Sequence, residues 1–132
     1  MKVMVFDVGG TEIKYSVIDE RLDRSHAGSV PTPGDCQEHF LSTLAELYAP
    51  HKAEVDGIAL SLPGFIDAEN GVVRGGGAPS IVYNIGTPVR ALLERACGCR
   101  VWIENDGKAA AIAELELGAL KGCSNAAVFV IG

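Results

Sequence analysis

The segment VFDVGGTEIKYSV, residues 5–17, contains residue types from which a phosphate-binding loop can be built. Asp7 ends one apolar run, Gly9 and Gly10 follow it, and Thr11 comes directly afterwards. Glycines between alternating apolar runs are typical of a β-hairpin, because tight hairpin turns need positive φ. Backbone N–H groups at such a turn can also hold an anion, and a nearby carboxylate can hold Mg²⁺. From this segment alone, an ordinary hairpin and a phosphate loop both remain open.

A second polar pair, Asn105 and Asp106, follows a short apolar run. Asp106 is predicted to be the N-cap of a helix, where its carboxylate would accept hydrogen bonds from free N–H groups. A carboxylate in a cleft can also take the proton of a hydroxyl that attacks a phosphorus atom, and such general-base help is worth ~10²–10⁴ in rate. The Asn105 amide offers both a donor and an acceptor, which suits a polyol.

The apolar patterning predicts the elements that must position these residues. Alternating or continuous apolar runs indicate strands, and apolar residues at helical spacing with caps indicate helices. Strands are predicted at 2–8, 12–19, 25–31, 55–64, 99–105 and 126–131, helices from residue 35, from 87 to about 97 and from 106 to 122, and a loop-rich segment at 67–86.

Three predictions concern helix ends. Asp35 with Glu38 forms a capping-box pattern, and Thr87-Pro88 is typical of an N-cap followed by the first helical residue. Gly98, between Cys97 and Cys99, is interpreted as a helix C-cap. A metal site at these two cysteines is the alternative, although the spacing is shorter than that of a zinc knuckle.

The order of elements predicts an α/β fold whose mixed sheet combines an antiparallel hairpin with parallel strands joined by crossover helices. Ligands of open α/β sheets bind at the carboxyl ends of the parallel strands. Three polar or glycine-containing segments fall at such ends, namely 7–11, 61–64 and 104–106.

Composition narrows the classes of partner. The 132 residues are 48% hydrophobic, which excludes a disordered chain. Their net charge of −6 argues against a nucleic-acid partner. No apolar run approaches the length of a membrane span. The four cysteines and the short apolar run at the start predict reduced thiols in a cytoplasmic protein without a secretory leader.

Three motifs together carry a family resemblance. DVGGTEIK resembles the first phosphate motif of the actin-like ATPase and sugar kinase superfamily. SLPGFIDAENGVV and ENDGKAAAIAE resemble, more narrowly, the ROK family of bacterial sugar kinases, open reading frames and repressors. The similarity runs from residue 3 to the end of the sequence. It implies a ribonuclease-H-like domain, the N-terminal half of a two-domain kinase.

The resemblance also implies roles for individual residues. The hairpin residues Gly9, Gly10 and Thr11 would approach the phosphates of ATP, and Asp7 would hold Mg²⁺ through water. Asn105 and Asp106 would contact sugar hydroxyls, with Asp106 as the catalytic base. The loops at Gly64, Gly76 and Gly77 would shape the sugar pocket, whereas Lys14 is expected to face solvent.

The sequence also departs from the family pattern. The His and Cys zinc cluster of the family does not occur in these residues, and Lys108 stands where a small polar residue is expected. The expected organisation is an N-terminal domain at 1–122 and the first strand of a second domain at 123–132. An apolar strand there is expected to pair at a sheet edge or in a homodimer.

Three functions remain open at this point. A hexose kinase is preferred, because no DNA-binding segment precedes Val3. A sugar-sensing regulator that binds a sugar without phosphorylating it is the main alternative. An interaction module with a degenerate site is the third.

Overall fold

The computed structural model describes residues 1–129. Its main feature is a five-stranded sheet with the strand order β3-β2-β1-β4-β7, beside a small two-stranded sheet of β5 and β6. The elements are β1 (Lys2–Val8), β2 (Glu12–Asp19), β3 (Arg24–Pro31), α1 (Gln37–Tyr48), β4 (Gly57–Leu62), β5 (Phe65–Asp67), β6 (Val72–Gly75), α2 (Val89–Cys97), β7 (Arg100–Asn105) and α3 (Asp106–Glu116).

The predicted mixed sheet is confirmed. β1 pairs antiparallel with β2 and parallel with β4, and β4 pairs parallel with β7. α1 makes the crossover from the hairpin strands to β4, and α2 makes the crossover to β7. This connectivity brings the carboxyl ends of β1, β4 and β7 to one edge of the sheet.

Alternation explains why the strands were predictable. Met4, Phe6 and Val8 on one face of β1 are fully or almost fully buried. They belong to one core with the apolar faces of α1 and α2. The buried residues of those two helices are Phe40, Leu44 and Tyr48 in α1 and Val89, Leu93 and Cys97 in α2. The apolar stripe of α1 therefore centres on Phe40 and Leu44, with Leu41 and Leu47 only partly buried.

The predicted capping box of α1 is wrong. The helix begins at Gln37, and its N-cap is Cys36, which makes no side-chain capping bond. The Asp35 carboxylate instead lies 2.9 Å from His39 Nδ1, one helical turn along. This hydrogen bond holds the pKa of Asp35 below its usual value. The Asp35 side chain thus pairs with a histidine four residues away and does not cap the helix.

The predicted start of α2 is also shifted by one position. Pro88 is the N-cap and Val89 the first helical residue. The Thr87 hydroxyl makes no capping bond and instead accepts a 2.6 Å hydrogen bond from Gln37 Nε2 in α1. The C-cap prediction is confirmed, since Gly98 adopts the left-handed conformation with φ of 67°.

Three other predictions of regular structure need correction. The segment 67–86 is not simply loop, because it contains β6 and a 3-10 helix at Pro79–Asn84. α3 ends at Glu116, six positions before the predicted end. Residues 126–129 form no strand, and the rest of the predicted strand, 130–131, lies outside the described residues. Among the described helices, none is both long and apolar enough to cross a membrane.

The thiols provide a test of this packing. Burial, together with the neighbouring Cys99, raises the pKa of the Cys97 thiol to about 11, whereas Cys123 is exposed. Because the thiolate is the reactive form, we expect iodoacetamide at neutral pH to label Cys123 first and Cys97 last. Mass spectrometry of timed samples measures the order. Labelling in urea should remove the difference, and early labelling of Cys97 in the native protein would contradict the packing of α2.

Candidate active site

The carboxyl-terminal edge of the sheet brings together two parts of the site, the Asp7 segment and the Asn105–Asp106 segment. In the parallel register, Asp7 of β1 lies beside Ser61 of β4, and Ser61 lies beside Glu104 of β7. Neighbouring strands are about 4.8 Å apart, so the ends of β1 and β7 are separated by about 10 Å. This edge therefore holds the Asp7 segment and the Asn105–Asp106 segment on either side of β4.

The hairpin at Gly9 and Gly10 connects β1 to β2, as predicted, but the reason for its glycines differs. Neither glycine has positive φ, and the turn is closed by a 2.9 Å bond from Gly9 N to Glu12 O. A Cβ at Gly10 would lie only 2.7 Å from Ala78 Cβ. The Ser80 hydroxyl donates to Gly10 O. Glycine is thus required for close packing of the hairpin on residues 78–80.

Asp7 is held at one oxygen only. Ser61 Oγ donates to Asp7 Oδ1 at 2.6 Å, and none of the described residues donates a hydrogen bond to Oδ2. Lys14 lies opposite Asp7 in the antiparallel register and is exposed, as predicted. Thr11 is exposed at the tip of the hairpin. A carboxylate with one free oxygen suits Mg²⁺, which usually retains several of its waters.

The cap of α3 is Asn105 and not Asp106, contrary to the prediction. Asn105 Oδ1 accepts from Lys108 N at 2.9 Å, and Asp106 is the first residue of the helix. Asp106 Oδ1 accepts from Gly107 N at 2.7 Å and from Asn105 Nδ2 at 3.0 Å. Within residues 1–129, no group donates to Asp106 Oδ2. One carboxylate oxygen is therefore fixed and the other is available to a ligand.

The glycines at Gly64, Gly76 and Gly77 lie together and are linked to Asn105, whose Nδ2 also donates to Gly64 O at 2.9 Å. Gly64 has φ of 109°, and a Cβ there would lie 2.7 Å from Gly75 O. Gly76 and Gly77 have φ of 67° and 92°. The two loops can approach each other this closely only because these positions lack side chains.

A cleft of about 350 Å³ opens beside Asn105. Its charged groups include Asp67 and Arg74, which form a salt bridge of 2.7 Å. Arg74, helped by Asn70, lowers the pKa of Asp67 to about 2, so this pair stays charged at neutral pH. The lining residues are Gly64, Phe65, Ile66, Asp67, Arg74, Asn105 and Lys108.

Sequence reasoning assigned no role to Ser61, Ser80 or Arg74, although it placed Ser61 in one of the three strand-end segments. Ser61 orients Asp7, Ser80 anchors the hairpin and Arg74 forms part of the cleft wall. The role of Ser61 could have been inferred, because it is the one polar residue in the otherwise apolar run of β4 and lies at the end that ligands use. The sequence carries no comparable signal for Ser80 and Arg74, since their contacts depend on loop packing.

Comparison with known proteins identifies the family. The sequence profile of the ROK family matches residues 3–132. The chain belongs to the ROK family. N-acetyl-D-glucosamine kinase of Vibrio parahaemolyticus is 41% identical over 112 residues, which cover 83% of this chain and 36% of that protein.

Solved structures support the same ROK assignment. The ROK hexokinase from Thermus thermophilus is similar with a TM-score of 0.75 and 36% identity, covering 92% of this chain and 41% of that one. The ROK glucokinase from Streptomyces griseus, in complex with glucose and AMPPNP, has a TM-score of 0.79 and 27% identity over 92% of this chain and 38% of that one. The fold is thus that of the ROK kinases, the actin-like ATPase fold predicted above. The chain spans about two fifths of the length of these relatives.

Substituting Gly64 tests the close approach of the two loops. The Gly98→Ala control also has positive φ, but its Cβ would meet nothing within 4 Å. We expect Gly98→Ala to cost about 1 kcal/mol in the free energy of unfolding, from backbone strain alone. Gly64→Ala should cost about 1–3 kcal/mol more, because the added methyl meets backbone atoms and the φ of 109° is less favourable to a side chain than that of Gly98. Urea unfolding measures both, and equal losses would contradict the described packing.

Proposed function

We propose that this chain is the sugar-binding and phosphate-binding part of an ATP-dependent sugar kinase, with Asp106 as the general base. The observation that carries the proposal is the environment of Asp106. Its Oδ1 is fixed by Gly107 N and Asn105 Nδ2, while its Oδ2 is left without a donor among the described residues. A carboxylate held in this way can accept a proton without first having to be oriented.

In the proposed reaction, a sugar hydroxyl attacks the γ-phosphorus of ATP. The O–P bond to the sugar forms as the bond to ADP breaks, and the hydroxyl proton passes to Asp106 Oδ2. Both Asn105 side-chain atoms are already engaged, Oδ1 by the helix and Nδ2 by Gly64 O and Asp106. Asn105 therefore positions Asp106 and the glycine loop, and only the second lone pair of its Oδ1 is left to accept from a sugar hydroxyl.

Asp7 and the hairpin form the proposed phosphate side. The free Oδ2 of Asp7 would hold Mg²⁺ through water, and Gly9, Gly10 and Thr11 would lie against the phosphates. Mg²⁺, when bound, would neutralise phosphate charge during transfer. Ser61, on the neighbouring strand, donates to the Asp7 carboxylate at 2.6 Å. The carboxylate oxygen that would face Mg²⁺ is therefore oriented before any ligand binds.

The names of the relatives support a proposed substrate class. A similar protein is named for N-acetyl-D-glucosamine and another is solved with glucose, so the proposed acceptor is a hexose or an N-acetylated hexosamine. Gly64, Gly76 and Gly77 are proposed to line its pocket. The domain boundary near residue 122 and the homodimer stay predictions.

Asp106→Asn tests the proposal in the protein at the full length of its gene. We expect sugar-dependent ADP release with Mg·ATP to fall by ~10²–10⁴ in kcat, because the amide cannot accept the proton. Sugar binding, measured by calorimetry, should change little. Asp23→Asn is the matched control, since Asp23 is exposed in the β2–β3 turn, and it should retain full activity.

Two outcomes would contradict the proposal. If Asp106→Asn retained most of the turnover, Asp106 would not be the base. If the wild-type protein bound a hexose but released no ADP with any sugar of a panel of hexoses, amino sugars and β-glucosides, the sugar-sensing alternative would replace the kinase.

A further inference from the structure

A cluster of nitrogen and oxygen ligands lies away from the candidate active site. It consists of His26 in β3, His51 in the 3-10 turn that follows α1, and Glu54 before β4. Glu54 precedes the amino end of β4, whereas the candidate active site lies at its carboxyl end. The cluster therefore has no part in the chemistry proposed for Asp7 and Asp106.

The three side chains converge on a small volume. One ligand atom from each lies within 4.8 Å of the other two. His51 Nδ1 is 2.6 Å from Glu54 Oε1, and His26 Nε2 is 3.6 Å from the same oxygen. The two imidazole rings have centroids 4.5 Å apart. A tetrahedral zinc ion with bonds of about 2.0–2.1 Å separates its ligand atoms by about 3.4 Å. Small side-chain rotations therefore suffice to bring the three ligand atoms to bonding distance of one ion.

An irregularity in the backbone of β3 lies at His26, the cluster residue on that strand. The β2–β3 pairing shifts between Tyr15 and Val17, where two residues of β3 oppose one residue of β2. His26 lies in this bulge with φ of 51°. Such a conformation is uncommon for a residue with a side chain, and bulges are a known means of re-aiming one. The bulge thus allows the His26 ring to meet His51.

The donor set indicates the class of ion. Imidazole nitrogens and a carboxylate suit zinc and its first-row neighbours, whereas Mg²⁺ and Ca²⁺ prefer oxygen ligands. A hydrogen-bonded cluster without metal is the alternative, but only His51 lies within hydrogen-bond distance of Glu54, whereas His26 Nε2 is 3.6 Å from the same oxygen. Lys2 is a nearby positive charge acting on Glu54, which would weaken the binding of a cation.

We propose that His26, His51 and Glu54 bind a divalent transition-metal ion such as Zn²⁺. The ion would join the outer strand β3 to the α1–β4 connection. The side chains of His26, His51 and Glu54 are 50%, 15% and 36% exposed, so an ion has access from solvent. Three protein ligands leave a fourth position for water.

Zinc titration of the chelator-treated protein, in competition with a chromophoric chelator, tests the proposal. We expect His26→Gln and Glu54→Gln each to remove one equivalent of bound Zn²⁺ or to weaken it roughly tenfold or more. His39→Gln is the matched control, because His39 is the one histidine of the sequence outside the cluster and pairs with Asp35. That variant should bind Zn²⁺ as the wild type does.

Two further measurements separate this site from the cysteines and from misfolding. The Co²⁺ difference spectrum of wild type minus His26→Gln should lack a thiolate charge-transfer band, because the ligands are nitrogen and oxygen. Zn²⁺ should raise the melting temperature of the wild type and of His39→Gln more than that of His26→Gln or Glu54→Gln. Unchanged zinc affinity in both cluster variants, or a thiolate band in the difference spectrum, would overturn the proposal.

Discussion

Parallel pairing of β1, β4 and β7 is the constraint on which the rest of the candidate site depends. It aligns Asp7 with Ser61 and Ser61 with Glu104, so residues almost a hundred positions apart meet at one edge of the sheet. The crossover helices α1 and α2 enforce this direction, because both pack on the same core as the buried face of β1. Misaligning any one of these strands would separate the proposed phosphate side from the proposed sugar side.

The second requirement of the site is glycine at the positions where two backbone segments pack closely together. Gly10 packs against Ala78, and Gly64 packs against the loop at 75–77, in both cases closer than a Cβ permits. These contacts join the hairpin and the glycine loops to the strand ends. The hydrogen bond from Asn105 Nδ2 to Gly64 O then ties the loop to the start of α3. Asp106 is therefore oriented by a chain of contacts that begins in backbone packing.

Strands and fold class could be predicted from the sequence because burial on alternate positions leaves a clear pattern. Helix caps could not be predicted, because residues that can cap a helix form other hydrogen bonds in the fold. Asp35 pairs with His39, and Thr87 accepts from Gln37. Asn105 and Asp106 are both good N-caps, and their order along the chain does not say which one caps. β5 and β6 were not predicted, because strands of three and four residues are too short to show an alternating apolar pattern. The cluster of His26, His51 and Glu54 likewise has no sequence motif, since its residues come from separate segments that meet only in the fold.

The most direct test of the account is a crystal structure of the protein at the full length of its gene, with a hexose, Mg²⁺ and a non-hydrolysable ATP analogue. The account predicts one sugar hydroxyl within hydrogen-bond distance of Asp106 Oδ2, facing the γ-phosphate, with the Mg²⁺ hydration shell against Asp7. A sugar bound away from Asn105 and Asp106, or phosphates bound away from the hairpin at Gly9 and Gly10, would contradict it.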